Sequence, residues 1–111
     1  MVAAVAPVDE VFRALADPTR RDVVARLTHS PASVSELAAP FDMAMPSLMQ
    51  HLQVLESSGL VRSTKAGRVR TYELVPKRLQ VAERWLAEQR DLWERRMDRF
   101  ARYANSMEEA Q

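Results

Sequence analysis

Val8, Val11, Phe12 and Leu15 fall at i, i+3, i+4 and i+7, the spacing of one helical face, and predict a short helix over residues 8–16. The segment "DPTRR" then breaks the pattern. Asp17 suits an N-cap and Pro18 a first helical position, where its missing N–H is no loss. A second helix follows to about Thr28, with Val23, Val24 and Leu27 turned inward. "HSPAS" reads as a loop. Ser33 or Ser35 caps a third, short helix that holds Leu37 and Ala38 and stops at Pro40. After the turn "FDMAM", Leu48, Leu52 and Leu55 repeat at i, i+4 and i+7 and define a fourth helix, with Pro46 in its first turn and Gly59 at its end.

From Leu60 the period changes. "LVRSTKAGRVRTYEL" sets β-branched and aromatic residues on either side of "KAGR", a short glycine-containing turn, and predicts a β-hairpin. Pro76 opens a last helix running to about Ala104, about 43 Å long at 1.5 Å per residue. Its apolar positions include Leu79, Ala82, Trp85, Leu86, Leu92, Trp93, Met97, Phe100 and Tyr103, a stripe longer than so small a body can cover. Such a stripe calls for a second chain. The predicted fold class is therefore mainly α with a small β-hairpin wing: a winged helix-turn-helix over residues 8–75, extended by a dimerisation helix over 76–104. Residues 1–7 and 105–111 are expected to be flexible ends.

Composition narrows the function classes. A chain of 111 residues forms one small domain, and 47% hydrophobic with 28% charged residues is a globular balance. No long apolar run or basic-then-apolar leader is visible, so no membrane association is expected and a cytoplasmic location is. The absence of cysteine excludes disulfides, thiolate metal sites and a Cys nucleophile. With two glycines and no Ser–His pattern there is little to build an enzyme from, and no cofactor is implied. The net charge of +1 hides a local excess. Residues 59–78 hold Arg62, Lys65, Arg68, Arg70, Lys77 and Arg78 against Glu73, a balance of +5, which marks a local anion-binding element.

The fourth helix carries the sharpest signal. Between Ala44 and Gly59 the only formally charged side chain is Glu56, whereas a solvated helix face ordinarily carries Lys, Glu and Arg. A short helix turned tightly into a longer one is the helix-turn-helix unit, whose second helix enters the DNA major groove. Amides, hydroxyls and apolar groups suit that role, because Gln bonds adenine and Met or Ala touches a thymine methyl. Gln50 and Gln53 point most directly away from the leucine stripe. Met45 and Met49 lie at its edge, where either core packing or exposure fits. His51 flanks the stripe and has two readings, a DNA contact or a structural tie. Arg62, Lys65, Arg68 and Arg70 are the candidate wing and phosphate contacts, the bland alternative being a solubilising edge. Arg20 and Arg21, in the first turn of the second helix, are read as structural, Arg20 in an ion pair.

The residues "VFRALADPTRRDVVARL" (11–27), "VSELAAPFDMAMPSLMQHLQVLESSGLV" (34–61) and "GRVRTYEL" (67–74) resemble the winged-helix repressors of the ArsR family over most of residues 8–75. The combination of "LADPTRR", "SELA", "HLQVLE" and "GLV" is specific where no single piece is. The tail "WLAEQRDLWERRMDRFARY" (85–103) is similar to a subgroup without metal sites. The resemblance implies a homodimer built from the first and last helices that binds an imperfect palindrome in double-stranded DNA and represses transcription. It places base reading on Ala44, Met45, Ser47, Met49, Gln50 and His51, beside the Gln53 read from the wheel. Family members often carry Ser, Gln, Ser, Lys or Arg where Ala44, Met45, Met49 and Gln50 stand, which implies a different operator. Val11 and Leu15 on the first helix, with Trp85, Leu92, Trp93, Met97 and Phe100 on the last, are the candidate interface; a ligand pocket at the tryptophans is the alternative. Metal-sensing members use cysteines or clustered His and carboxylates. Here His29 and His51 stand apart and Asp91 and Glu94 read as a solvated face, so no metal sensing is expected. The inducing signal is unknown. The rival class is a helical dimer whose winged helix docks a protein.

Overall fold

A computed structural model describes residues 7–110. The elements run α1 (Pro7–Leu15), α2 (Pro18–Leu27), β1 (Ala32–Ser33), α3 (Val34–Ala38), α4 (Met45–Ser57), β2 (Val61–Ala66), β3 (Val69–Leu74) and α5 (Pro76–Glu109). Local chemistry sets most boundaries. Asp17 caps α2, its carboxylate accepting the Arg20 backbone N–H at 3.0 Å, and Pro18 follows in the first turn. Ser33 rather than Ser35 caps α3. Its hydroxyl accepts from the Glu36 N–H while the Glu36 carboxylate accepts from the Ser33 N–H, a reciprocal capping box.

The wing is a three-stranded antiparallel sheet in the order β1-β3-β2 rather than a bare hairpin. Ala32 and Ser33, expected in a loop, pair with Tyr72 and Thr71. Two residues are too short for a strand to show in the sequence pattern. Gly67 and Arg68 connect β2 to β3, with Gly67 at φ +62 and Arg68 at an ordinary φ. A positive φ at only the first turn position is the type II′ arrangement, which matches strand twist.

One core holds the body together. Val11, Ala14, Val23, Val24 and Leu27 meet Leu37, Leu48, Leu52, Leu55, Leu60, Val61 and Tyr72 there. Only Ala82 of α5 is buried in it, with Leu79 packed alongside. The helix extends five residues past the expected Ala104, so residues 105–109, expected as a free end, are helical. The expectation for residues 1–6 and 111 lies outside the described residues. At 34 residues α5 is about 51 Å long. The radius of gyration is 20.7 Å, against about 13 Å for a compact chain of this length. The difference is the projecting distal half of α5. Among the described residues no helix is long and apolar enough to cross a membrane.

Candidate nucleic-acid interface

Leu48, Leu52 and Leu55 seat α4 in the core and leave its opposite face open. Ala44, Met45, Ser47, Met49, Gln50 and Gln53 are all exposed there. Met45 and Met49 are 48% and 37% exposed, which decides them as surface rather than core. Ala44 is the N-cap and makes no side-chain capping bond; Pro46 lies in the first turn. Glu56 is turned to the sheet, where its carboxylate accepts from the Ser63 hydroxyl at 2.8 Å. Apart from Glu56, which is exposed at the wing side, α4 presents no formal charge to solvent.

His51 is the exception in the candidate set. It is half-buried, and its Nδ1 lies 3.2 Å from an Arg20 guanidinium nitrogen and 3.7 Å from the Asp17 carboxylate. Arginine is only a donor, so Nδ1 is the acceptor. The remaining Arg20 arms donate to the carbonyls of Ala14, at 2.6 Å, and Arg13, at 3.0 Å. Arg20 is structural as expected, but through carbonyls and an imidazole rather than an ion pair. The Arg20 backbone N–H holds the Asp17 carboxyl below its usual range, against a smaller opposing effect of burial; the nearby Arg20 guanidinium adds to the lowering.

The wing basics divide by strand face. Register pairs Lys65 with Arg70, Ser63 with Tyr72 and Val61 with Leu74 on the face toward α4; Arg62 pairs with Glu73 on the other. Arg62 donates to the Glu73 carboxylate, so its charge is answered within the wing. Its side chain nevertheless remains 69% exposed. Arg70 donates to the Ser63 hydroxyl at 2.8 Å, continuing the line to Glu56. Lys65 and Arg68 are exposed and have no side-chain partner among the described residues. Like charges directly opposite, as in Lys65–Arg70, destabilise a sheet; a merely solubilising edge has no reason to adopt them. An open groove runs between α4 and the wing, lined by Pro46, Met49, Gln50, Gln53, Glu56, Arg70 and Tyr72. Burial pushes the Tyr72 phenol up, with the Glu56 carboxylate adding to it, so Tyr72 is a neutral floor.

The candidate interface residues separate as well. Leu92, Trp93, Met97 and Phe100 are between 43% and 65% exposed on the projecting half of α5. Trp85 is 44% exposed and meets Phe12 of α1 edge-on, ring centres 5.7 Å apart. Leu15 packs partly on the core. Val11 is fully buried within its own chain and has no area left for a partner, which removes it from the interface.

Two further ties were not legible in the sequence. Arg78, in the first turn of α5, donates from Nε to the carbonyl of Ser58, the C-cap of α4, at 2.9 Å. It also fills the space beside Gly59, whose φ of +82 and lack of Cβ admit it. Nothing in the spacing of residues 59 and 78 signals that approach. The Glu56–Ser63–Arg70 line likewise depends on strand register, which the sequence does not specify.

A short helix, a tight turn, a second helix with an uncharged face, and a basic wing beside it define a winged helix-turn-helix DNA-binding regulator. A helix-turn-helix domain family model matches residues 15–64. The crystal structure of an ArsR family transcriptional regulator is 52% identical, with a TM-score of 0.78, covering 85% of this chain and 97% of that one. The chain belongs to the ArsR family of transcriptional regulators. It is similar to the HTH-type transcriptional regulator Rv2034 of Mycobacterium tuberculosis, 46% identical over 68 residues, 61% of this chain. It spans 64% of the length of that relative. The transcriptional repressor SdpR of Bacillus subtilis is 28% identical over 78 residues, 70% of this chain and 87% of that one.

Proposed function

We propose that this regulator is a repressor that binds an imperfect palindrome as a homodimer, residues 8–75 forming the reading unit and α5 the dimer helix. The amide- and methionine-bearing exposed face of α4 beside the unpaired Lys65 and Arg68 of the wing supports this reading. In it, Ala44, Met45, Ser47, Met49, Gln50 and Gln53 read base edges, the amides by hydrogen bonds and the methionines by apolar contact. Lys65 and Arg68, with Arg70 behind them, answer phosphates without reading sequence. The N-terminus of α4, uncapped by a side chain, offers its dipole to a further phosphate.

Dimerisation follows from the exposed apolar residues of distal α5, and a two-fold axis places two reading helices about 34 Å apart in successive major grooves. Repression is supported by the Bacillus relative, a repressor by name. The chain has no cysteine, and its base and phosphate contacts need no metal, so the proposed binding is independent of transition metals.

Selection of binding sites from random duplexes, followed by salt titration of the selected site against a random one, tests the reading. A roughly palindromic site with discrimination persisting at physiological salt is the expected result. Equal affinity for selected and random duplexes would leave the protein-docking role instead. Adding zinc or nickel should leave the affinity unchanged; a metal-dependent loss would refute metal independence.

A further inference from the structure

A helix seated by one apolar stripe is free to roll about its own axis, and rolling would aim the reading face at the wrong base edges. In α4 that stripe is Leu48, Leu52 and Leu55. His51 and Glu56 are five residues apart, about 140° around the helix at 3.6 residues per turn. They therefore lie on opposite flanks of the stripe. Each is held by a different part of the body. His51 Nδ1 accepts from Arg20, whose other arms grip the last-turn carbonyls of α1 at Arg13 and Ala14. Glu56 accepts from Ser63 on the wing. The far end is fixed separately, by Arg78 of α5 on the Ser58 carbonyl. A guanidinium suits this task because it makes several hydrogen bonds in fixed directions, which an ammonium does not.

We propose that Arg20, acting through His51, and Arg78, acting through the Ser58 carbonyl, are positioning residues for DNA reading. They lock the roll and tilt of α4 against α1 and α5 without touching the bases. This rests on the proposed DNA reading and adds to it a route by which the helices of the proposed dimer set the aim of the reading face. Glu56 opposes Arg20 from the other flank, which gives the single charged side chain of α4 its role.

The test uses the full chain and compares affinities for a selected duplex and a random duplex of equal length. Arg20→Lys and Arg78→Lys keep the charge and lose the geometry. His51→Leu removes the acceptor, and His51→Gln restores one in its amide oxygen. Arg20→Lys, Arg78→Lys and His51→Leu should each lower the selected-to-random ratio by about tenfold, the scale of one well-placed base contact. Random-duplex affinity and its salt slope should stay within about twofold, since the phosphate contacts are elsewhere. His51→Gln should recover most of the ratio. An unchanged ratio in a folded Arg20→Lys chain, or His51→Gln and His51→Leu behaving alike, would overturn the proposal. If Arg20→Lys does not fold, the two His51 variants decide the matter. A wild-type chain that fails to discriminate would refute the DNA reading instead.

Discussion

Replacing Trp93 and Phe100 together by alanine removes two of the largest side chains that the projecting half of α5 leaves uncovered. They are 60% and 65% exposed in the single chain. Full burial of a large apolar side chain is worth about 1.5–3 kcal/mol, so covering these exposed fractions contributes about 1–2 kcal/mol each. A two-fold dimer buries four of them. The loss is then about 4–8 kcal/mol, or about 10³–10⁶ in the association constant. Because neither side chain is in the core, and alanine is the best helix former, the helical signal of the variant should be retained. Sedimentation velocity over a concentration series reads the association, with circular dichroism on the same samples as the check on folding. Binding of a selected duplex should fall with dimerisation, since one winged helix offers half the contacts. A folded variant that remained dimeric with unchanged association would show that these side chains cover nothing. A monomer that still bound tightly would refute the two-fold arrangement.

The wing separates into free and answered charges, so Lys65→Ala and Arg68→Ala should weaken binding to every duplex and reduce the salt slope by about one ion each. Arg62→Ala, whose charge is already paired with Glu73, should leave that slope nearly unchanged in the same titration. Gln50→Ala should relax preference at one or two base pairs at a cost of about 1–3 kcal/mol, read by repeating the site selection; an unaltered site would remove Gln50 from base reading. Asp17→Ala should lower stability at neutral pH by about 0.5–2 kcal/mol through the lost N-cap. The Asp17 carboxyl is held below its ordinary 3.8. Its contribution is therefore complete above that value and lost as pH falls through the lowered folded-state value, so melting curves of wild type and variant should converge in acid.

The helices and the hairpin were legible because each is written locally. Asp17-Pro18, Pro46 and Gly59 mark ends, and Leu48, Leu52 and Leu55 repeat at one period. The uncharged face of α4 was also legible, since an absence of Lys and Arg over fourteen residues (45–58) shows without any structure. What the sequence hides is pairing across distance. Arg62, Lys65, Arg68 and Arg70 look equivalent in a string, yet strand register puts Arg62 on Glu73 and Arg70 toward α4. Val11 and Leu15 share a helical stripe with no mark of which faces the core, and Val11 proves fully buried. The bond between His51 and Arg20, thirty-one residues earlier, likewise shows only in the fold. The end of α5 was misplaced because no Gly or Pro follows Ala104 to stop it.

An uncharged reading face changes what the rest of the fold must supply. Coulomb attraction falls off slowly with distance, so the phosphate contacts proposed for Lys65 and Arg68 tolerate flexible stems at the tip of a wing. Hydrogen bonds to base edges weaken steeply with misalignment. In the proposed reading, Gln50 and Gln53 discriminate only if the helix that carries them keeps a fixed aim. A family member with Lys or Arg on this helix could offset a poorly aimed face with charge; this chain has no such reserve between Ala44 and Gly59. Rigid support for α4 is therefore the counterpart of its missing charge. The structure meets that need with directional bonds at both flanks and at the C-terminal end, from Arg20, Ser63 and Arg78. Those three come from α2, β2 and α5, so any change that shifts α5 against the body bears directly on the aim of α4 through Arg78.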